Sequence, residues 1–168
     1  LVRYPDSYGA LNNLSYLYLL SGKMDKAIYF GNMAVQAKPY LPKAYIAVAQ
    51  AYHKQRELEK AAVVLERGQH ACGETFLRGK LLLAGTYKEL GRIDAAEALY
   101  RNVMTHSVNS TQPAYEPDLN FVDGDLNAED KTHLRAEAMY GLGHVWAARR
   151  NLDSSMVYFR NAVLSWPE

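Results

Sequence analysis

The chain has 168 residues, 19 lysines and arginines against 18 aspartates and glutamates, one cysteine, 49% hydrophobic residues and a mean hydropathy of −0.29. A net charge of +1 supplies no global field to draw the chain onto nucleic acid or anionic lipid, and no apolar run reaches the roughly 18 to 20 residues that cross a bilayer, so neither nucleic-acid binding nor direct membrane insertion is expected. The lone Cys72 cannot close an intramolecular disulfide, which leaves the compartment open with the cytoplasm favoured.

A fixed period organises the rest. Tyr18, Tyr52 and Tyr87 are separated by 34 and 35 residues, as are Ala27, Ala61 and Ala96, and a further step of 59 lands on Trp146 and Ser155. The same ruler aligns Leu14, Val48, Leu83 and Leu142, and it aligns the small residues Ser15, Ala49, Ala84 and Gly143. Four repeats follow in chain order: 8–41, 42–76, 77–104 and, after an interruption at 105–130, 131–168. Each carries apolar residues at three- and four-residue spacings, which predicts two amphipathic helices per repeat. Gly22 and Gly91 mark the turn inside the first and third repeats, and Arg56 and Arg150 occupy that place in the second and fourth. Pro5 lies 34 residues before Pro39, so residues 1–7 read as the end of a preceding repeat and the chain as an excerpt from a longer array.

With Leu11, Leu14, Ser15, Tyr18, Ala27 and Pro39 in the first repeat and Met139, Leu142, Gly143, Trp146, Ser155, Phe159 and Pro167 in the fourth, the chain resembles the tetratricopeptide repeat family. That resemblance implies an all-α, right-handed α-solenoid of four helix-turn-helix units, here with 25 residues inserted before the last, and a non-catalytic, protein-binding role. Lys80 stands where the family has a large apolar residue and Gly31 where it has an aromatic one.

The interruption contains Pro113, Pro117 and Gly124, six acidic residues and no lysine or arginine, so it carries −6 and the remainder +7. Its proline-rich part is expected to be an irregular loop, with Asn127 capping a first helix of repeat four that is longer by about two turns. The charge contrast suggests that the segment covers the basic body, with Tyr115 and Phe121 as anchors. Asp123, Asp125 and Asn127 open like a calcium loop, but Ala128 and Leu134 replace its glycine and final glutamate. His53, His70, Cys72, His106, His133 and His144 show no metal-ligand spacing, and neither a nucleophile elbow nor a phosphate loop is present. No catalytic residue, metal or cofactor is therefore assigned. Asn109-Ser110-Thr111 fits a glycosylation acceptor.

The resemblance further implies that the exposed side of each first helix lines a concave groove for an extended peptide or partner segment. The residues so placed are Asn12, Tyr16, Lys43, Ile46, Gln50, His53, Arg78, Leu81, Lys88, Tyr140 and His144. Lys43, Arg78 and Lys88 suit carboxylates, Asn12 and Gln50 a peptide backbone, and Tyr16, Ile46, Leu81 and Tyr140 apolar side chains. The lysine and asparagine clamp by which some relatives hold a C-terminal carboxylate is missing, because Asn12, Tyr16 and Leu82 occupy its places. The alternatives are a docking arm of a larger enzyme, or a module that self-associates through uncapped ends.

Overall fold

The computed structural model describes residues 8–109 and 128–166, and among them every regular element is helical. The expectations attached to Leu1, Pro5, Ser110, Thr111, Tyr115, Phe121, Asn127 and Pro167, and to most of the acidic interruption, lie outside these residues. The elements are α1 (Tyr8–Leu20), α2 (Met24–Ala37), α3 (Pro42–Lys54), α4 (Leu58–Cys72), α5 (Leu77–Glu89), α6 (Ile93–Asn109), α7 (Ala128–Ala148) and α8 (Leu152–Ser165), with a 3-10 turn at Gly73–Thr75. The helices pair in chain order, with α6 running past the expected end of the third repeat at 104 and α7 starting ahead of the expected 131. Helix α6 continues through Asn109, and α7 has 21 residues against 13 in α1 and α3, the extra two turns expected of it. The chain forms two compact units, one ending at Thr86 and the other starting at Tyr87, so that α5 contributes to both.

The turn inside every pair has one backbone solution. Gly22, Arg56, Gly91 and Arg150 have φ of 76°, 63°, 76° and 59°, the left-handed region. The next amide in each case reaches back five residues: Lys23 to the Tyr18 carbonyl at 2.9 Å, Glu57 to Tyr52 at 3.0 Å, Arg92 to Tyr87 at 2.8 Å and Asn151 to Trp146 at 3.0 Å. These are Schellman caps, which satisfy carbonyls that the end of a helix leaves without partners. Two of the four are held by arginine at the steric cost of a β-carbon there, so the cap geometry prevails over the residue's own preference.

In the first unit, α1 packs on α2 and α3, and α3 on α4. The closest approach of α1 and α2 is bridged by the buried Ser15 hydroxyl, which donates to the Ala27 carbonyl at 2.8 Å. Gly31 explains its departure from the family pattern, since a β-carbon there would lie 2.3 Å from the Val48 side chain and 2.9 Å from Ser15 Oγ. At the far end of the unit Phe76 is wholly buried, edge-on to Tyr45 at 6.2 Å and seated over Gly68 and Gly79. Lys80 is only 3% exposed, and its shielded ammonium is paired with the exposed Glu74 at 3.1 Å. Its stem thereby fills the apolar slot while its charge is met by a carboxylate.

The second unit repeats the plan with α6 on α7 and α7 on α8 around Val103, Leu134, Leu142 and Val145. Here the hydroxyl comes from the other helix: Ser155 on α8 donates to the Gly143 carbonyl of α7 at 2.9 Å. Tyr100 is 5% exposed, and burial, with a smaller contribution from Glu89, pushes its phenol up to about 12.

Gly31→Ala is expected to lower the stability of the fold by about 1–3 kcal/mol, because Val48 and Ser15 must give way together. Urea unfolding followed by circular dichroism reads this directly, and an unchanged midpoint would show that the α1–α2–α3 contact has slack.

Candidate functional site

The stripe expected on α3 is a structural stripe. Its buried residues are Ala44, Tyr45, Ala47, Val48, Ala49 and Ala51, while Lys43, Ile46, Gln50 and His53 recur at three- and four-residue intervals and stay half-exposed. On the neighbouring α1, Tyr16 is 48% exposed and Asn12 is half-buried, its Oδ1 shielded and without a hydrogen-bond partner. Arg78 is exposed at the start of α5, but Leu81, one turn further, is 8% exposed and forms part of the core beneath. In this unit α1 and α3 are adjacent helices, and Leu81 is buried where Arg78 is exposed.

The second unit holds Lys88, Tyr140 and His144. Tyr140 and His144 meet edge to face at 4.6 Å, and both pack on Phe159 of α8 at 5.5 Å and 5.1 Å. This cluster requires Gly143, where a β-carbon would fall 2.6 Å from the Phe159 ring. Partial burial, and secondarily the positive charge of Lys88, hold the His144 imidazole below its ordinary range. Tyr140 remains 54% exposed at the edge of the cluster.

Chemistry of the covalent or metal-assisted kind finds little to work with. Burial pushes the Cys72 thiol up to about 11, which keeps it protonated and weakly nucleophilic at neutral pH. Among the described residues no three His, Cys, Asp or Glu side chains converge, and no described helix is long and apolar enough to cross a membrane.

Sequence reading passed over a concavity of about 420 Å³ in the first unit, between α2 and the α3–α4 turn. Asp25, Tyr29, Asn32, Tyr52 and Gln55 are among the residues that line it. The available signal was the ruler itself, which puts Asp25 in register with Asp94 and Tyr52 with Trp146.

Residues 77–105 match the family model for the tetratricopeptide repeat. No curated protein matches the sequence. The fold is similar to that of the crystal structure of MamA, at a TM-score of 0.70 and 18% identity over 96% of this chain and 79% of that one. It is similar also to BtubC (BKLC) from P. vanneervenii, at a TM-score of 0.70 and 19% identity over 96% of this chain and 64% of that one. Nearly identical TPR-like repeats from Podosopora anserina align at a TM-score of 0.54 and 12% identity over 98% of this chain and 97% of theirs.

The depressed imidazole predicts a pH effect of definite sign. The unfolded chain takes up a proton on His144 near pH 6.5, whereas the folded chain resists it, so stability is fully present above about pH 6.5 and falls as the solution is acidified. His144→Gln is expected to flatten the decline in Tm between about pH 7.5 and 5 relative to the parent chain, and an unaltered slope would show that this ring titrates as it does in water.

Residues 77–105 thus match the tetratricopeptide repeat, and the helix-pair fold of TPR-like repeats extends over nearly the whole chain.

Proposed function

We propose that the chain is a non-catalytic protein-interaction scaffold that takes an extended, partly acidic segment of a partner on the exposed stripes of its first helices. Proteins built from this repeat mediate protein–protein contacts, and the finer reading is supported above all by α3. That helix buries Ala44, Tyr45, Ala47, Val48, Ala49 and Ala51 and leaves Lys43, Ile46, Gln50 and His53 half-exposed, so recognition through these four leaves the packing intact. In the first unit Lys43 and Arg78 pair with carboxylates, Asn12 and Gln50 bond the partner's backbone, and Tyr16 and Ile46 receive its side chains above the Leu81 floor. In the second unit Lys88, Tyr140 and His144 form a smaller patch of similar character, cationic at one end and aromatic at the other.

The test is an affinity capture from source-cell extract with the parent chain, a Lys43→Glu/Arg78→Glu variant and a Lys88→Glu variant, each first shown to melt as a folded helical protein. Partners retained by the parent and lost from the double variant support the reading. Purified, they are expected to bind the double variant at least about tenfold more weakly, and an identical partner list for all three chains overturns it.

A second reading rests on α8. Leu152, Met156 and Val163 form one apolar stripe that is 66%, 61% and 74% exposed, whereas Val35, the α2 residue in register with Val163, is 7% exposed under the α2–α3 packing. Covering the stripe with a second copy removes that apolar surface from water. Light scattering is then expected to show mass rising with concentration and a Met156→Glu/Val163→Glu variant fixed at the monomer. A constant monomer mass for the parent chain rejects self-association.

A further inference from the structure

The second unit shows how this repeat closes the junction between one pair and the next. Arg149, in the α7–α8 turn, reaches Asp94 of α6 at 2.5 Å and Glu97 at 2.5 Å, with its guanidinium over the Trp146 ring at 5.2 Å. Partial burial works to raise the Glu97 carboxyl, but hydrogen bonds from Arg101 and Arg149 outweigh it and hold that carboxyl below the usual range. Two acids are thus matched by two arginines, and the aromatic plane of the repeat carries one of them.

The junction between the first two pairs keeps one acid and the aromatic position but lacks the second acid and both arginines, Ile28 standing in register with Glu97 and Asn32 with Arg101. Asp25 is in register with Asp94, Tyr52 with Trp146 and Gln55 with Arg149. The amide of Gln55 donates to Asp25 at 2.9 Å, so the acid has a hydrogen bond but no cation. Lys60 does not supply one, because its ammonium is engaged by Glu57 at 2.5 Å and lies over Tyr52 at 5.7 Å. What the second unit fills with its own guanidinium is here an open concavity of about 420 Å³, walled by Tyr29, Asn32 and Tyr52, in whose lining the carboxylates of Asp25 and Glu57 outnumber the ammonium of Lys60.

We propose that this concavity, between α2 and the α3–α4 turn, receives the guanidinium of an arginine on a protein partner. Asp25 pairs with the incoming cation, the Gln55 and Asn32 amide oxygens accept its remaining N–H groups, and the Tyr29 ring, unlike that of Tyr52 over which Lys60 lies, gives its plane a face to lie against. The site lies on residues outside the stripes proposed above and stands independently of them. Arginine suits it better than lysine, because a planar fork can engage the carboxylate and a neighbouring amide together, as Arg149 engages two carboxylates.

The experiment is a titration of the isotopically labelled full chain with Nα-acetyl-arginine N-methylamide, into the tens of millimolar, followed by NMR. The citrulline analogue, equal in shape but uncharged, and the lysine analogue are run beside it. Saturable shifts confined to Asp25, Tyr29, Asn32, Tyr52 and Gln55, weaker for lysine and absent for citrulline, support the site. Asp25→Asn is expected to weaken binding at least fivefold, while Asp94→Asn in the other unit leaves it unchanged. Gln55→Arg, which restores the residue type found at 149, is expected to abolish binding and to raise Tm. Shifts that are absent, that fail to saturate, that appear equally with citrulline, or that survive both Asp25→Asn and Gln55→Arg overturn the proposal.

Discussion

The closest approach between the two helices of a pair is the constraint from which the remaining packing follows. Ser15 and Ala27, Ala49 and Ala61, and Gly143 and Ser155 occupy it, all of them small and all 4% exposed or less where exposure is resolved for serine and alanine. Small residues let the backbones come near enough for a side-chain hydroxyl to reach a carbonyl on the partner helix. The ends of the chain exploit this from opposite directions, Ser15 donating from the first helix of its pair and Ser155 from the second. A larger residue at either position would separate the helices, and the caps and aromatic seats beyond would lose their register.

Given that approach, each departure from the repeat pattern finds a local solution. Gly31 yields space that Val48 occupies, and Lys80 fills an apolar slot with its methylenes while keeping its charge beside Glu74. Arg56 and Arg150 accept a left-handed backbone because the cap they complete satisfies helix-end carbonyls that would otherwise compete for water. In all these cases backbone geometry is held constant and the side chain accommodates it.

The periodicity of tyrosines, alanines and leucines made the helix pairs, their turns and the small-residue contacts legible before any coordinates. Those features depend on residues within one pair or at one fixed offset. Exposure was less legible. The resemblance grouped Lys43, Ile46, Gln50 and His53 and likewise grouped Arg78 with Leu81, and only the packed structure separates the exposed Arg78 from the buried Leu81. The pairing of Tyr140 with His144 is readable as a four-residue spacing on one helix. Their seat on Phe159 is not, because it depends on how far α8 approaches Gly143. The concavity at Asp25 escaped notice for a different reason: each of its residues is ordinary by itself, and its meaning comes from comparing one junction with another.

That comparison bears on how a repeat protein acquires specificity. The positions that hold the pairs together are committed to packing, so recognition must be written into the residues that the period leaves free to vary. An arginine at 149 makes its junction electrostatically self-sufficient, with both acids paired and the indole covered. A glutamine at the matching place, 55, keeps the hydrogen bond to the acid but supplies no charge. A carboxylate with one neutral donor retains more capacity to attract a cation than one already held by a guanidinium, since the field of Asp25 is left uncancelled at short range. With Ile28, Asn32 and Gln55 in the places of Glu97, Arg101 and Arg149, one junction is open where the other is closed, and the close helix contact is present in both units, as Ser15–Ala27 and as Ser155–Gly143.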